Sequence, residues 1–161
     1  MSSMMDTAQM EHGSTSGVAH FTQNAPTQRI KRIGGRPIVF EGSELAMAMS
    51  YTPTVAYWYE VNLYRTTDQR FVATCRLFFQ SSEEQDTVRA WECKSLDEAI
   101  EKLATYDAAH DVKIGAFAFD ASSPASEMAA HAMELGAQIK GHRQHYESLI
   151  GEFLYEIEKG K

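Results

Sequence analysis

The chain has 161 residues, of which 22 are acidic and 15 basic, giving a formal net charge of −7. This length suits one domain with appendages, and the acidic balance disfavours a wholesale attraction to nucleic acid. No run of about 18 apolar residues is present, which argues against a membrane span. The two cysteines lack the spacing of a zinc site, so we expect reduced thiols and a cytoplasmic protein.

The N-terminal part of the chain is polar. Residues 1–28 are mainly Ser, Thr, Gln, Met and His, with too few apolar side chains to form a core. We predict a disordered tail there, without the basic and apolar blocks of a signal peptide. Composition and periodicity divide the remainder into a sheet domain, 29–121, and a C-terminal helical segment, 122–161.

A basic patch follows the tail and leads into a Gly34-Gly35 turn. Its cations suit contacts with nucleic-acid phosphates, although a solvated arm entering the first strand explains the same pattern. Neither of the common phosphate-loop patterns is present. The candidate phosphate contacts are Arg29, Lys31, Arg32 and Arg36.

A first hairpin is predicted before the main sheet. Residues 37–41 form a short strand, and its leading proline suits a sheet edge. Residues 42–44 are interpreted as a turn. Residues 45–50 have helical propensity, yet Leu45, Met47 and Met49 alternate as in a strand, and we favour the strand.

Three antiparallel strands are predicted over residues 56–65, 71–80 and 87–93, which are rich in aromatic and β-branched residues. A three-residue turn at 67–69 segregates apolar from polar side chains, so we prefer it to a two-residue turn. It requires a left-handed Asp68 or Gln69, since no glycine is present. Centring the next turn on its polar loop places Cys75 opposite Cys93, both as small buried thiols.

The outer face of this meander carries aromatic side chains beside an arginine. Such a face forms a stacking platform for single-stranded nucleic acid. The alternative is that the C-terminal helix covers it, because large exposed apolar patches are rare. The residues concerned are Trp58, Tyr64, Arg76 and Phe78.

A well-capped helix is predicted over about residues 95–107. Ser95 is its N-cap and Glu98, three residues on, completes a capping box. Leu96, Ala99 and Leu103 recur at helical spacing, so one face packs on the sheet. Residues 113–120 then alternate as in a further strand.

The C-terminal segment, about 124–158, reads as a long helix that begins near Pro124. Its apolar residues follow a heptad seam, which favours a homodimer or a docked partner helix. A break at Gly141, giving a helical hairpin, is the alternative. The seam comprises Met128, Leu135, Ile139, His142, Tyr146, Leu149 and Phe153.

Two groups of titratable residues are candidates for chemistry. Glu127, His131 and Glu134 share one helical stripe, which suits either an acid–base site or ordinary surface pairing. His142 and His145 suit a register-setting or pH-sensitive contact. No nucleophile signature is present, and we assign no catalytic residue, cofactor or metal.

The sequence therefore predicts an α+β fold: a mainly antiparallel sheet, one packed helix, and a long C-terminal helix or helical hairpin. We expect a small binding or assembly protein without enzymatic activity, acting through that helix on a protein partner or a second copy. A nucleic-acid-associated regulator and a small His/Glu enzyme are the alternatives.

Overall fold

The computed structural model describes residues 25–114 and 122–159. Within them, five antiparallel strands join side by side in chain order. These are β1 (Thr27–Ile30), β2 (Ile38–Met49), β3 (Tyr57–Thr66), β4 (Phe71–Phe79) and β5 (Thr87–Cys93). Helix α1 (Leu96–Thr105), a 3₁₀ turn (Ala108–Asp111) and helix α2 (Ala125–Lys159) follow. The predicted α+β fold is confirmed.

The turn between β3 and β4 has the predicted register. Arg65 pairs with Phe71, and the ladder continues regularly to Tyr57 opposite Phe79. Gln69 takes the left-handed conformation that the short turn requires, with a φ of 68°. The odd-numbered side chains of β3 and β4 consequently share the inner face.

The β4–β5 register differs from the prediction. Cys93 pairs with Phe71, and Cys75 pairs with Arg89, so the two thiols do not face each other. The prediction placed the turn at the middle of the polar loop. Instead the chain turns early, at Ser81, and the Asp86 carboxylate accepts the Phe79 N–H at 3.1 Å. Both cysteines are buried and free, as predicted.

Residues 42–44 do not turn the chain, contrary to the prediction. They lie inside β2, which is continuous from Ile38 to Met49 and carries a bulge between Glu44 and Ala46. Gly42 is required by close packing, because a Cβ there would lie 2.3 Å from the carbonyl oxygen of Arg65. β2 pairs with β1 over Ile38–Glu41 and with β3 over Gly42–Met49, so its partner changes at Gly42 and the bulge lies within the β3-paired part.

The inner face of the sheet forms the main core with both helices. Side chains of β3, β4 and β5 pack against α1 and against the C-terminal half of α2. Burying large apolar side chains stabilises a fold by about 1.5–3 kcal/mol each. The largest of these buried side chains are Tyr59, Leu63, Leu77, Leu103 and Tyr146.

The outer face is covered in part by the β1–β2 hairpin and not by the C-terminal helix. A second apolar cluster joins Ile30 and Ile38 to Tyr64 and Val72. The hairpin turn also reaches the far strand, since the Ile33 N–H donates to the carbonyl of Val88 at 2.9 Å. The alternative that α2 covers this face was wrong, because the apolar side of α2 packs against the opposite, inner face.

Helix α1 begins at the predicted N-cap, Ser95. The Glu98 N–H donates to Ser95 Oγ at 3.1 Å, and the Glu98 carboxylate accepts the Lys94 N–H at 2.8 Å. The first bond satisfies an orphan amide of the first turn, and the second holds the residue before the N-cap, whereas a capping box bonds the N-cap amide itself. Ala99 and Leu103 are fully buried against the sheet, which confirms the predicted packed face.

Helix α2 is continuous through Gly141, so the helical hairpin is not formed. Its 35 residues span about 50 Å at 1.5 Å per residue. From His142 onwards one side of the helix packs into the core, whereas most side chains before residue 141 are exposed.

Two predictions fall on residues outside the described part. The N-terminal tail is one, apart from the stretch from Ala25, and β1 already begins at Thr27. The predicted strand over 113–120 is the other; its two described residues, Lys113 and Ile114, are not in a strand. Across residues 25–114 and 122–159, no helix is sufficiently long and apolar to cross a membrane.

Candidate functional site

The heptad seam of α2 is divided between the core and the surface. His142, Tyr146, Leu149 and Phe153 are each 5% exposed or less, within this chain's own core. In the N-terminal half, Met128 is 39% exposed, and Leu135 and Ile139 are half-buried. A partner helix has direct access only to that first half.

The candidate phosphate contacts have different surroundings. Arg32 is held by carbonyl acceptors, since its Nε donates to Arg36 O and its Nη1 to Ala90 O, both at 2.9 Å. Arg29, Lys31 and Arg36 are exposed. Arg32 thus connects the hairpin turn to β5, which is a structural role.

The candidate stacking residues do not form one open platform. Trp58 and Phe78 stack with ring centroids 5.5 Å apart and remain half-buried. Tyr64 is instead buried beneath the β1–β2 hairpin, edge-on to Phe40. Arg76 pairs with Glu60 at 3.7 Å, so its charge is partly compensated.

The two groups of candidate histidines differ in burial and in the contacts they make. Glu127 and Glu134 are exposed and His131 is half-buried. His142 is buried and stacks on the Tyr57 ring at 4.1 Å, and His145 Nε2 lies 2.6 Å from Ser50 Oγ. Among residues 25–114 and 122–159, no three His, Cys, Asp or Glu side chains are placed to hold a metal ion.

A buried carboxylate that the sequence did not indicate lies beneath α2. Asp111 ends the 3₁₀ turn, and its side chain is only 3% exposed. It accepts a hydrogen bond from the Tyr59 hydroxyl at 2.8 Å and pairs with Arg89 Nε at 3.4 Å. A buried carboxylate needs such partners, because its desolvation is costly.

Burial in this region disfavours the charged forms of nearby acids. Burial, and then the Asp111 charge, raise the pKa of Tyr59 well above its ordinary value, and the same two causes act on Tyr106. Burial likewise raises the pKa of the Cys75 thiol. These groups are therefore protonated at neutral pH, and Cys75 is a poor nucleophile.

The second half of β2 is an uncovered sheet edge. β1 pairs with β2 only over Ile38–Glu41, so no described strand lies along the other side of Ala46–Met49. On this strand Leu45, Met47 and Met49 are 51%, 47% and 47% exposed. The bulge ends beside Ala46, and beyond it the edge has neither a charged residue nor a proline, the usual protections against strand pairing.

Two adjoining grooves, of about 460 and 540 Å³, lie along this edge and share Glu152 of α2. The first lies between β2 residues 45–48 and the α2 side chains Phe153 and Ile157. The second continues past Met49 to the middle of α2. Among the described residues that line the grooves, Glu152 and Glu156 are acidic and none is a lysine or arginine.

The sequence pattern indicated part of this surface. The alternation of Leu45, Met47 and Met49 predicted a strand, but nothing in it distinguished an edge strand from an interior one. Asp111 gave no signal, because its partner Tyr59 lies 52 residues away. Comparison with protein-family models, curated proteins and solved structures finds no match in any of the three.

Proposed function

We propose that this protein binds an extended segment of a protein partner, which adds as a strand to the uncovered edge of β2. The observation that carries the proposal is this edge, bordered by exposed Leu45, Met47 and Met49 and flanked by α2. Main-chain hydrogen bonds supply affinity in this mode of recognition, and pockets for alternate side chains supply specificity. The C-terminal helix takes part as one wall of the site.

The backbone of the β2 edge directs N–H and C=O groups outward, as strand addition requires. The Ser50 N–H donates to the Tyr59 carbonyl at 2.9 Å, and Ala48 stands opposite Val61. Bonded and non-bonded pairs alternate in an antiparallel ladder. Met47 and Met49 therefore direct their N–H and C=O groups away from β3, where no described residue bonds to them.

The grooves favour a particular class of segment. Their apolar surface, from β2 and from Phe153 and Ile157, accepts apolar side chains at alternate positions. The intervening side chains of an added strand face away from α2, and the protein's net charge of −7 favours basic residues at those positions. The expected occupant is an extended segment in which apolar and basic residues alternate.

Calorimetric titration with short peptides tests this proposal. The probe is acetyl-Lys-Val-Lys-Val-Lys-Val-amide, with the Glu-for-Lys peptide as charge control and an N-methylated backbone as hydrogen-bond control. We expect the first to bind, and both controls to bind at least about tenfold more weakly. Equal binding of the N-methylated peptide would contradict strand addition.

Variants of β2 locate the site. Met47→Pro removes an N–H that points away from β3, so the fold is retained while peptide affinity falls about tenfold. Val39→Lys is the matched control, since Val39 is exposed on the same strand within its β1-paired half. A wild-type dimer in light scattering that Met47→Pro dissociates would show that a second copy occupies the edge, against the proposal.

A further inference from the structure

A cleft of about 430 Å³ opens between the start of β3 and the middle of α2, next to the groove that Gly141 and His145 line. This volume is in the range of small-molecule sites. One wall is the Tyr57 ring, which stacks on His142 with an interplanar angle of 15°. The lining is aromatic and polar, chiefly from Tyr57, Phe79, Asp111, Val112, Gln138 and His142. It also includes Glu84 and Lys113, which form an ion pair at 2.9 Å.

The first polar group in the cleft is a hydrogen-bond acceptor. Asp111 Oδ2 accepts from the Tyr59 hydroxyl, and Oδ1 faces Arg89 Nε. The buried Tyr106 hydroxyl also lies beside Asp111. A carboxylate has about four acceptor positions, so these three neighbours leave one for a further donor. Because Arg89 already compensates the charge, the remaining capacity suits a neutral donor as well as a cation.

The second polar group is the His142 ring, which is an acceptor because of its tautomer. His142 Nδ1 lies 3.0 Å from the Gln138 carbonyl oxygen, which can only accept, so Nδ1 carries the proton. Burial lowers the pKa of His142, against smaller raising effects that include the Asp111 charge, so the ring is neutral at pH 7. In that tautomer Nε2 has a lone pair and no proton.

We propose that this cleft binds a small planar aromatic molecule that carries an N–H or O–H donor, held between apolar walls with its donor directed at Asp111 or His142. Both of these polar groups accept hydrogen bonds. Carboxylate and phosphate ligands are disfavoured, because their oxygens would face the Asp111 carboxylate, and because Lys113, the cation among the described lining residues, is already paired with Glu84. Aromatic pairing with the Tyr57 and Phe79 rings favours a flat ligand.

Indole, 1-methylindole and benzoate distinguish the parts of this proposal. Indole has the donor, 1-methylindole has nearly the same shape without it, and benzoate is an anion of similar size. In ¹H–¹⁵N NMR titrations of the full chain, we expect indole to shift the Tyr57, Val112 and Gln138 amides. We expect 1-methylindole to bind at least about tenfold more weakly, the loss of one hydrogen bond to a charged or buried acceptor.

His142→Phe tests the acceptor while retaining an aromatic ring against Tyr57. We expect weaker indole binding with a smaller difference between the two indoles, whereas His110→Phe, at an exposed histidine outside the cleft, leaves both unchanged. Equal binding of the two indoles to the wild type would overturn the proposal, as would no binding of indole. Peptide binding at the β2 edge is expected to be unaffected by His142→Phe, which separates the two proposals.

Discussion

The Tyr59 hydroxyl and the Asp111 carboxylate are joined by a 2.8 Å hydrogen bond between the middle of the sheet and the 3₁₀ turn that precedes α2. Tyr59 is fully buried, and the Asp111 side chain is nearly so. The bond therefore ties the connection after α1 to the inner face of the sheet. The bond also holds in place Asp111, one of the two acceptors in the cleft between β3 and α2.

Tyr59→Phe removes this donor and leaves the rest of the ring in the core. We expect a loss of about 1.5–3 kcal/mol in the free energy of unfolding, the usual range for a hydrogen bond to a charged group. Urea denaturation measures it. Tyr155→Phe is the control, since Tyr155 is 63% exposed, and we expect a change within about 0.5 kcal/mol. Equal stability of the two variants would contradict the role of the bond.

Because one half of the α2 seam is buried and the other exposed, substitutions in the two halves are expected to change stability unequally. Phe153→Ala removes a ring that is 3% exposed within the core, so we expect a loss of about 3–5 kcal/mol. Met128→Ala, in the exposed half, is expected to change stability by less than about 0.5 kcal/mol. Thermal or urea unfolding compares them. A large effect of Met128→Ala would show that further contacts cover the first half of α2.

The basic patch offers a third comparison. Arg32→Ala loses two bonds to carbonyl oxygens of Arg36 and Ala90, and we expect it to cost about 1–3 kcal/mol of stability. Lys31→Ala, at an exposed neighbour, is expected to be neutral. If Arg32→Ala were as stable as Lys31→Ala, the hairpin turn would not depend on these bonds.

His142 predicts a pH dependence of stability. Burial holds its folded-state pKa below the ordinary value of 6.5, so between those two values the unfolded chain binds more protons. Stability is therefore complete above about pH 6.5 and is lost as the pH falls below it. Denaturation between pH 7 and 5 should show a slope that decreases in His142→Phe and is unchanged in His110→Gln. No difference between the slopes would contradict the assignment to His142.

Local patterns predicted the parts of the fold that depend on near neighbours in sequence. The capped start of α1 and the three-residue turn before Phe71 involve residues within a few positions of one another. The turn predicted at residues 42–44 was wrong because a glycine required by close approach to a neighbouring backbone looks the same in sequence as a turn glycine. The buried Asp111 and the covering of Tyr64 by the β1–β2 hairpin depend on long-range packing, which periodicity does not record.

The most direct test of strand addition is amide hydrogen exchange at Met47 and Met49. In the free protein we expect both amides to exchange rapidly and Ala48, which faces β3, to exchange slowly. Saturating acetyl-Lys-Val-Lys-Val-Lys-Val-amide should slow Met47 and Met49 and leave the exposed amides of α2 unchanged. Slow exchange of Met47 and Met49 before any peptide is added, or rapid exchange at saturation, would contradict an open edge that receives a partner strand.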